Sequence, residues 1–289
     1  MSERLNAVFR SAPIGVTRLV SYLMAGDPNV ETSLRRLRGL VDHGVDVLEL
    51  GVPFSDPMAD GPVIQAAAER ALNGKMTVKR TLDLVREFRK INETTPLLLM
   101  SYLNPLLTYG WDHLMEDSAD AGVDGFILPD LPWGEGKALR ARTKKHVGDK
   151  LVFIPMIAQT SRELDIEAVA HETEGFAYVL SRNGITGGEV EIPANVSQFI
   201  ENLGKSLQIP RCVGFGIQKP KQVQTLANVC DGVVVGSALV DKFARLDQRK
   251  LKEEELIEKE KVIFEWLASL KRVPSDFKRL EGVLCSSVK

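Results

Sequence analysis

Short apolar runs alternate with longer stretches of mixed polarity nearly to the end of the chain. The runs RLVSYLM (18–24), DVLEL (46–50), PLLLMSY (96–102), GFILP (125–129), LVFIPMI (151–157), FAYVL (176–180), PRCVGFG (210–216) and GVVVG (232–236) read as strands. Between them, apolar residues recur at helical spacing. In ETSLRRLRGLVDHG, Leu34, Leu37, Leu40 and Val41 fall on one side, and Gly44 supplies a helix stop. TVKRTLDLVREFRK, WDHLMEDSADAG, SRELDIEAVAHE, NVSQFIENLG and KPKQVQTLANV repeat the theme. Strand-then-helix order of this kind predicts parallel strands joined by crossover helices.

An open doubly wound sheet and a closed barrel both satisfy that order. Eight strands spread over about 250 residues favour the barrel, and no GxGxxG opens the first unit as a dinucleotide-binding sheet requires. The expected fold is α/β, a single (β/α)8 TIM-barrel domain over 1–289. It comprises an N-terminal helix (1–13), a barrel core (14–245), a C-terminal helix (246–271) and a loosely ordered tail (272–289). In the C-terminal segment Leu256, Ile263, Trp266, Leu267 and Leu270 share a stripe, which predicts a solvated helix laid on the barrel.

Composition narrows the classes of function. With 44% apolar and 26% charged residues, the chain is an ordinary globular protein. A net charge of −2 leaves no electrostatic footprint for nucleic acid or an anionic membrane. No apolar stretch reaches the roughly 18 residues that span a bilayer, and MSERLNAVFRSAPIG lacks the apolar centre of a secretory signal. Cys212, Cys230 and Cys285 form no CxxC pair, so a reducing, cytoplasmic setting is expected. His43, His113, His146 and His171 show no metal-ligand spacing, and no metal site is expected.

Candidate chemistry centres on LELGVPFSDPMADGP (48–62). A barrel carries its chemistry at the C-terminal strand ends and in the loops behind them. Glu49 interrupts an apolar run at the penultimate position of the second strand, and Asp60 lies in the loop that follows. Pointing inward, Glu49 is desolvated and its pKa raised, which suits acid or base work. Pointing outward, it bridges to an arginine between helices. Asp60 either hangs over the barrel mouth or caps the helix PVIQAAAERAL, and Asp56 before Pro57 reads as a turn former. GFGI after the seventh strand and GSA after the eighth place glycine turns where barrels commonly bind phosphate.

LELGVPFSDPMADGPVIQ closely resembles the signature of the tryptophan synthase alpha subunit family. AGDPN (25–29), SYLNP (101–105), LPDLP (128–132), YVLSRNGITG (178–187), GFGI (214–217) and VGSALV (235–240) also resemble that family's segments, in order, across residues 14 to 270. The resemblance implies an eight-fold barrel and a retro-aldol lyase that splits indole-3-glycerol phosphate into indole and glyceraldehyde 3-phosphate. It implies Glu49 and Asp60 as the catalytic pair, with Tyr178 orienting Glu49. Gly187, Phe215, Gly216, Gly236 and Ser237 match positions that hold the substrate phosphate. Tyr22, Ile64, Met100 and Ile127 match indole-pocket walls, although each could equally be barrel filling. Arg182 and Thr186 match functional positions of a lid, with Thr186 holding Asp60 on closure.

The family also implies no cofactor in this chain and a pyridoxal-phosphate beta subunit as partner in an αββα complex, with Pro53 and Asp56 at the interface. Departures from the usual pattern are Tyr22 in place of Phe, Ser21 in place of Pro, Gln159 in place of Pro, and a longer tail. A stand-alone indole-3-glycerol phosphate lyase and a non-catalytic activator of a beta subunit remain as alternatives.

Overall fold

Strand side chains alternate between two layers, and the register decides which layer each residue joins. In the computed structural model, which describes residues 2–10, 16–172, 174–180, 192–214 and 216–271, the strands are β1 (Arg18–Met24), β2 (Val47–Gly51), β3 (Leu97–Met100), β4 (Gly125–Ile127), β5 (Val152–Ile154), β6 (Met156–Ala158), β7 (Ala177–Leu180), β8 (Arg211–Gly214) and β9 (Gly232–Val235). They form one sheet in the order β5-β4-β3-β2-β1-β9-β8-β7-β6, every pairing parallel. The two ends of that order, β5 and β6, are consecutive in the chain around Pro155, so the sheet curls into a nearly closed barrel. The run 151–157, expected as one strand, is thus two short ones. Proline has no N–H to give a ladder, while its carbonyl accepts from the Tyr178 amide at 2.9 Å and keeps the neighbouring strand attached.

The helices are α1 (Glu3–Arg10), α2 (Val30–Asp42), α3 (Pro62–Asn73), α4 (Val78–Arg89), α5 (Leu103–Tyr109), α6 (Trp111–Ala121), α7 (Lys137–Val147), α8 (Glu163–Glu172), α9 (Ala194–Ser206), α10 (Pro220–Leu226), α11 (Ser237–Asp247) and α12 (Glu253–Ser269). The expected boundary at 245/246 falls inside α11, and the C-terminal helix begins at Glu253. None of the described helices is long and apolar enough to cross a membrane.

Val20, Val47, Leu98, Ile127, Val152, Ile154, Phe176, Tyr178, Cys212 and Val234 fill the barrel interior. Leu5 of α1 joins them, fully buried, so α1 stops one end of the barrel. A buried Asp124 holds that end: it takes Ser2 and Arg4 from the N-terminus, Arg89 from α4 at 2.7 Å, and the Leu97 amide at 2.8 Å. With one mouth plugged, the C-terminal strand ends are left for a site.

On the outside, α12 lies against α2 and α11. Phe264 and Leu267 are buried, and the Phe264 ring meets Phe243 of α11 and stacks on His43. The helical stripe read from sequence is present, but the polar face is not wholly solvated. Glu260 is 2% exposed and accepts from Arg36 at 2.8 Å and from Arg35 at 2.9 Å. Arg36, 1% exposed, also donates to Asp247.

Candidate active site

β2 is buried along its whole length, and its register places Glu49 between Tyr22 of β1 and Leu98 of β3. Val47 and Leu98 are interior residues, so alternation sends Glu49 inward with them. The outward reading of Glu49 is excluded. The side chain is 1% exposed, and neither carboxyl oxygen has a hydrogen-bond partner among the described residues. Burial alone raises its pKa to about 8, so the acid is neutral at physiological pH. An unpartnered buried carboxyl normally costs stability, and perturbed carboxyls of this kind are concentrated at functional sites, which makes Glu49 a candidate.

Asp60 reaches the same region from the loop between β2 and α3. Its backbone N–H donates to the Pro57 carbonyl, its carbonyl accepts from Gln65, and the helix N-cap is Gly61. The capping reading of Asp60 therefore gives way: its carboxylate accepts from the Tyr102 hydroxyl at 3.1 Å. Burial raises the Asp60 pKa, and the Tyr102 hydrogen bond pulls against that shift. The helix behind this loop is fixed by a bidentate pair from Arg70 to Asp27, at 2.7 and 2.8 Å.

Tyr22, Met24, Val52, Phe54, Pro57, Asp60, Ala68, Met100, Ser101, Tyr102 and Pro129 line a narrow cleft at this mouth. Glu49 is not among the lining residues, but it pairs in register with Tyr22, which is. Tyr22 and Tyr178 are both buried, and burial first, with smaller contributions from neighbours that include both Glu49 and Asp60, raises their pKa well above that of a free phenol. Two phenols and two carboxyls therefore share one electrostatic neighbourhood. Tyr22 lies over Gly51: a Cβ built there would sit 2.0 Å from its hydroxyl, so only glycine fits.

Of the other expected walls, Met100 faces the cleft, and Ile64 packs in one apolar cluster with Tyr22 and Met24. Ile127 is fully buried in the interior layer and is not among the residues that line the cleft. Tyr102 and Met24 were not anticipated. The signal for Tyr102 was available, because it stands two residues past Met100 and so on the same side of the chain.

Across the mouth, β9 ends at Val235, Gly236 is the N-cap of α11, and Ser237 is that helix's first residue. The first amides of a helix have no intrahelical acceptor and favour an anion. Gly216, after β8, has φ +60°, which suits glycine and turns the backbone at the second expected loop. A Cβ at Gly236 would lie 3.5 Å from Tyr22 Cβ, so this edge adjoins the ring cleft. Phe215, Arg182, Thr186 and Gly187 lie outside the described residues. In the loop after β2, Asp56 is exposed but Pro53 is buried, because the adjacent Val52 amide bonds to the Met100 carbonyl and holds the chain against β3. Met58, 85% exposed, is the loop's outstanding apolar surface. No group of three or more His, Cys, Asp or Glu among the described residues could hold a metal.

Comparisons with known proteins bear on the family and the fold. The family model for the tryptophan synthase alpha chain matches residues 14–268. A tryptophan synthase alpha chain from Carboxydothermus hydrogenoformans is 40% identical over 244 residues, covering 84% of this chain and 90% of the relative. The crystal structure of the alpha chain from Legionella pneumophila superposes with a TM-score of 0.82 at 32% identity, covering 93% of this chain and 97% of that one. A chain from the tryptophan synthase α2β2 complex of Pyrococcus furiosus gives a TM-score of 0.77 at 32% identity, over 86% and 97% of the two chains. With the match running from before β1 into α12, this chain belongs to the tryptophan synthase alpha chain family.

Proposed function

We propose that the chain is a lyase that cleaves indole-3-glycerol phosphate to indole and D-glyceraldehyde 3-phosphate. The observation that carries this reading is Glu49: inward, buried, unpartnered and neutral near pH 7, in a barrel whose mouth carries a second half-buried carboxyl, Asp60.

The chemistry needs a proton on C3 of the indole before the bond to the side chain can break. Glu49, as the acid, gives that proton, and the ring nitrogen becomes cationic. Asp60, ionised and held by Tyr102, faces the ring N–H and stabilises that charge. The Glu49 carboxylate then takes the proton of the adjacent side-chain hydroxyl. The oxygen forms a carbonyl, the carbon–carbon bond breaks, and its electron pair returns to the ring. Glu49 ends protonated, as it began, so the step balances without another reactant. Tyr22, Met24 and Met100 form the ring slot, and Tyr178 stands against Glu49. The amides at Gly216, Gly236 and Ser237 hold the phosphate.

Tryptophan synthase chains in an α2β2 complex are among the similar structures. That supports a pyridoxal-phosphate beta subunit as the partner that consumes indole, with Asp56 and Met58 presenting the loop after β2 to it. We place the reaction in the cytosol, where Cys212 and Cys230, both free, stay reduced.

The test is indole release from indole-3-glycerol phosphate, with and without a beta subunit, by wild type and Glu49→Gln. The reading expects weak solo turnover that rises strongly with the partner and is lost in the variant. Indole formation by Glu49→Gln at the wild-type rate overturns the mechanism, and high solo turnover overturns the synthase assignment in favour of a stand-alone lyase.

A further inference from the structure

The phosphate-binding part of the proposed function relies on two separate pieces of backbone, the turn at Gly216 and the start of α11 at Gly236 and Ser237. Grip on one phosphate requires the distance between them to be held, and an error of an ångström at a positioned group is expensive. One side chain outside the cleft contacts the chain just beyond each piece: the loop after Gly216, and α11 five residues past Ser237. Trp266 of α12 donates its indole N–H to the Gln218 carbonyl at 3.2 Å, two residues past Gly216. On its other side, the Lys242 ammonium of α11 lies 4.4 Å from its ring centroid.

Each end of that bridge is itself fixed. The Gln218 and Lys219 amides both donate to the Gln222 side chain at 2.9 Å, which rolls the turn into the start of α10, and Ile217 is buried. Trp266 is carried by a helix docked firmly on α11, through the Phe243–Phe264 ring contact and the fully buried Leu267. A rigid helix therefore holds one jaw through Lys242 and reaches across to the other through an N–H. A helix laid on a barrel needs only an apolar stripe for packing. The polar N–H contact to a loop carbonyl is additional to that need.

We propose that Trp266 is a positioning residue for phosphate binding: it spaces the Gly216 turn against the N-terminus of α11 without touching substrate. The proposal rests on the phosphate site described under the proposed function. It makes the C-terminal helix part of substrate selection.

The test uses the full-length chain and two probes, glycerol 3-phosphate for the phosphate end and indole for the ring slot. Trp266→Phe keeps an aromatic face for Lys242 and removes the N–H. Its dissociation constant for glycerol 3-phosphate should rise about three- to ten-fold, the worth of one hydrogen bond, while that for indole stays within about two-fold. In the complex with a beta subunit, KM for indole-3-glycerol phosphate should rise with kcat nearly unchanged. Lys242→Met tests the other arm if the first variant folds poorly, and should weaken glycerol 3-phosphate alone, about two-fold. Wild-type affinity for glycerol 3-phosphate in both variants overturns the proposal and leaves the phosphate site standing. Equal weakening for both probes also overturns it, since a merely structural helix would act that way. If the wild type itself takes up no glycerol 3-phosphate, the underlying site falls and the proposal with it.

Discussion

The Tyr102 hydroxyl accepts from the Ala59 amide at 2.8 Å and donates to the Asp60 carboxylate at 3.1 Å, so one phenol aligns the loop and charges its acid. Burial favours the neutral form of Asp60, and the Tyr102 hydrogen bond favours the ionised one. Tyr102→Phe leaves the burial and removes the hydrogen bond to Asp60, together with the one from the Ala59 amide. The Asp60 pKa then rises, and because the ionised form is the useful one, activity is lost earlier on the acid side. We expect kcat/KM to fall about ten-fold, the worth of one charge-assisted hydrogen bond, with the acid limb of the pH profile moved upward. An unmoved acid limb would detach Tyr102 from Asp60.

Glu49 links stability to pH in the direction opposite to an ordinary surface acid. Its carboxyl ionises near 4.5 in the unfolded chain and near 8 in the fold. Between those values the unfolded state holds fewer protons, so stability falls as pH rises and levels off above 8. The whole effect is at most about 5 kcal/mol. Glu49→Gln cannot ionise and escapes the loss. Urea denaturation should find the variant close to wild type near pH 4.5 and more stable than wild type at pH 9. Since the protonated acid starts the reaction, wild-type kcat/KM should decline through about pH 8.

Gly51 is where the ring slot leaves no spare volume. A Cβ there would lie 2.0 Å from the Tyr22 hydroxyl and 2.6 Å from Cζ. Gly51→Ala must therefore displace the whole ring edge. A stability loss of about 1–3 kcal/mol is expected, with weaker indole binding. Tyr22→Phe should not rescue it, because Cζ still collides, whereas Tyr22→Leu should restore stability. Thermal melts of the three variants decide this.

The pattern of the chain made the barrel legible because its strands are buried on both faces and its helices carry apolar stripes. Glu49 stood out for the same reason, as a charge inside an apolar run, but the pattern left inward and outward readings open until the register with Tyr22 and Leu98 fixed it inward. What escaped the pattern depends on contacts distant in sequence. Tyr102 and Asp60 are 42 residues apart, so chain spacing can put the phenol on the cleft side but cannot show the hydrogen bond that supports the loop. The break at Pro155 was hidden because both halves of LVFIPMI are apolar. Helix α7, KALRARTKKHV, has only Thr143 buried, so no stripe announces it. Glu260 looked solvated because its partners stand 224 and 225 residues away on α2.

That last cluster carries its own expectation. Arg36 and Glu260 are both about 2% exposed at the side chain and bond at 2.8 Å, while Asp247 takes the other edge of the same guanidinium. Glu260→Ala leaves Arg36 buried with only Asp247, and it also releases Arg35. Breaking a buried pair from one side costs about 3–5 kcal/mol. The remaining Asp247 contact should hold the loss to the lower part of that range. Replacing both partners by apolar residues, Arg36→Met with Glu260→Leu, removes the stranded charge and should recover most of the stability. Urea midpoints of the single and double variants make the comparison. A double variant as unstable as the single one would mean that the network supplies net stability to the seating of α12, rather than merely neutralising its own charges.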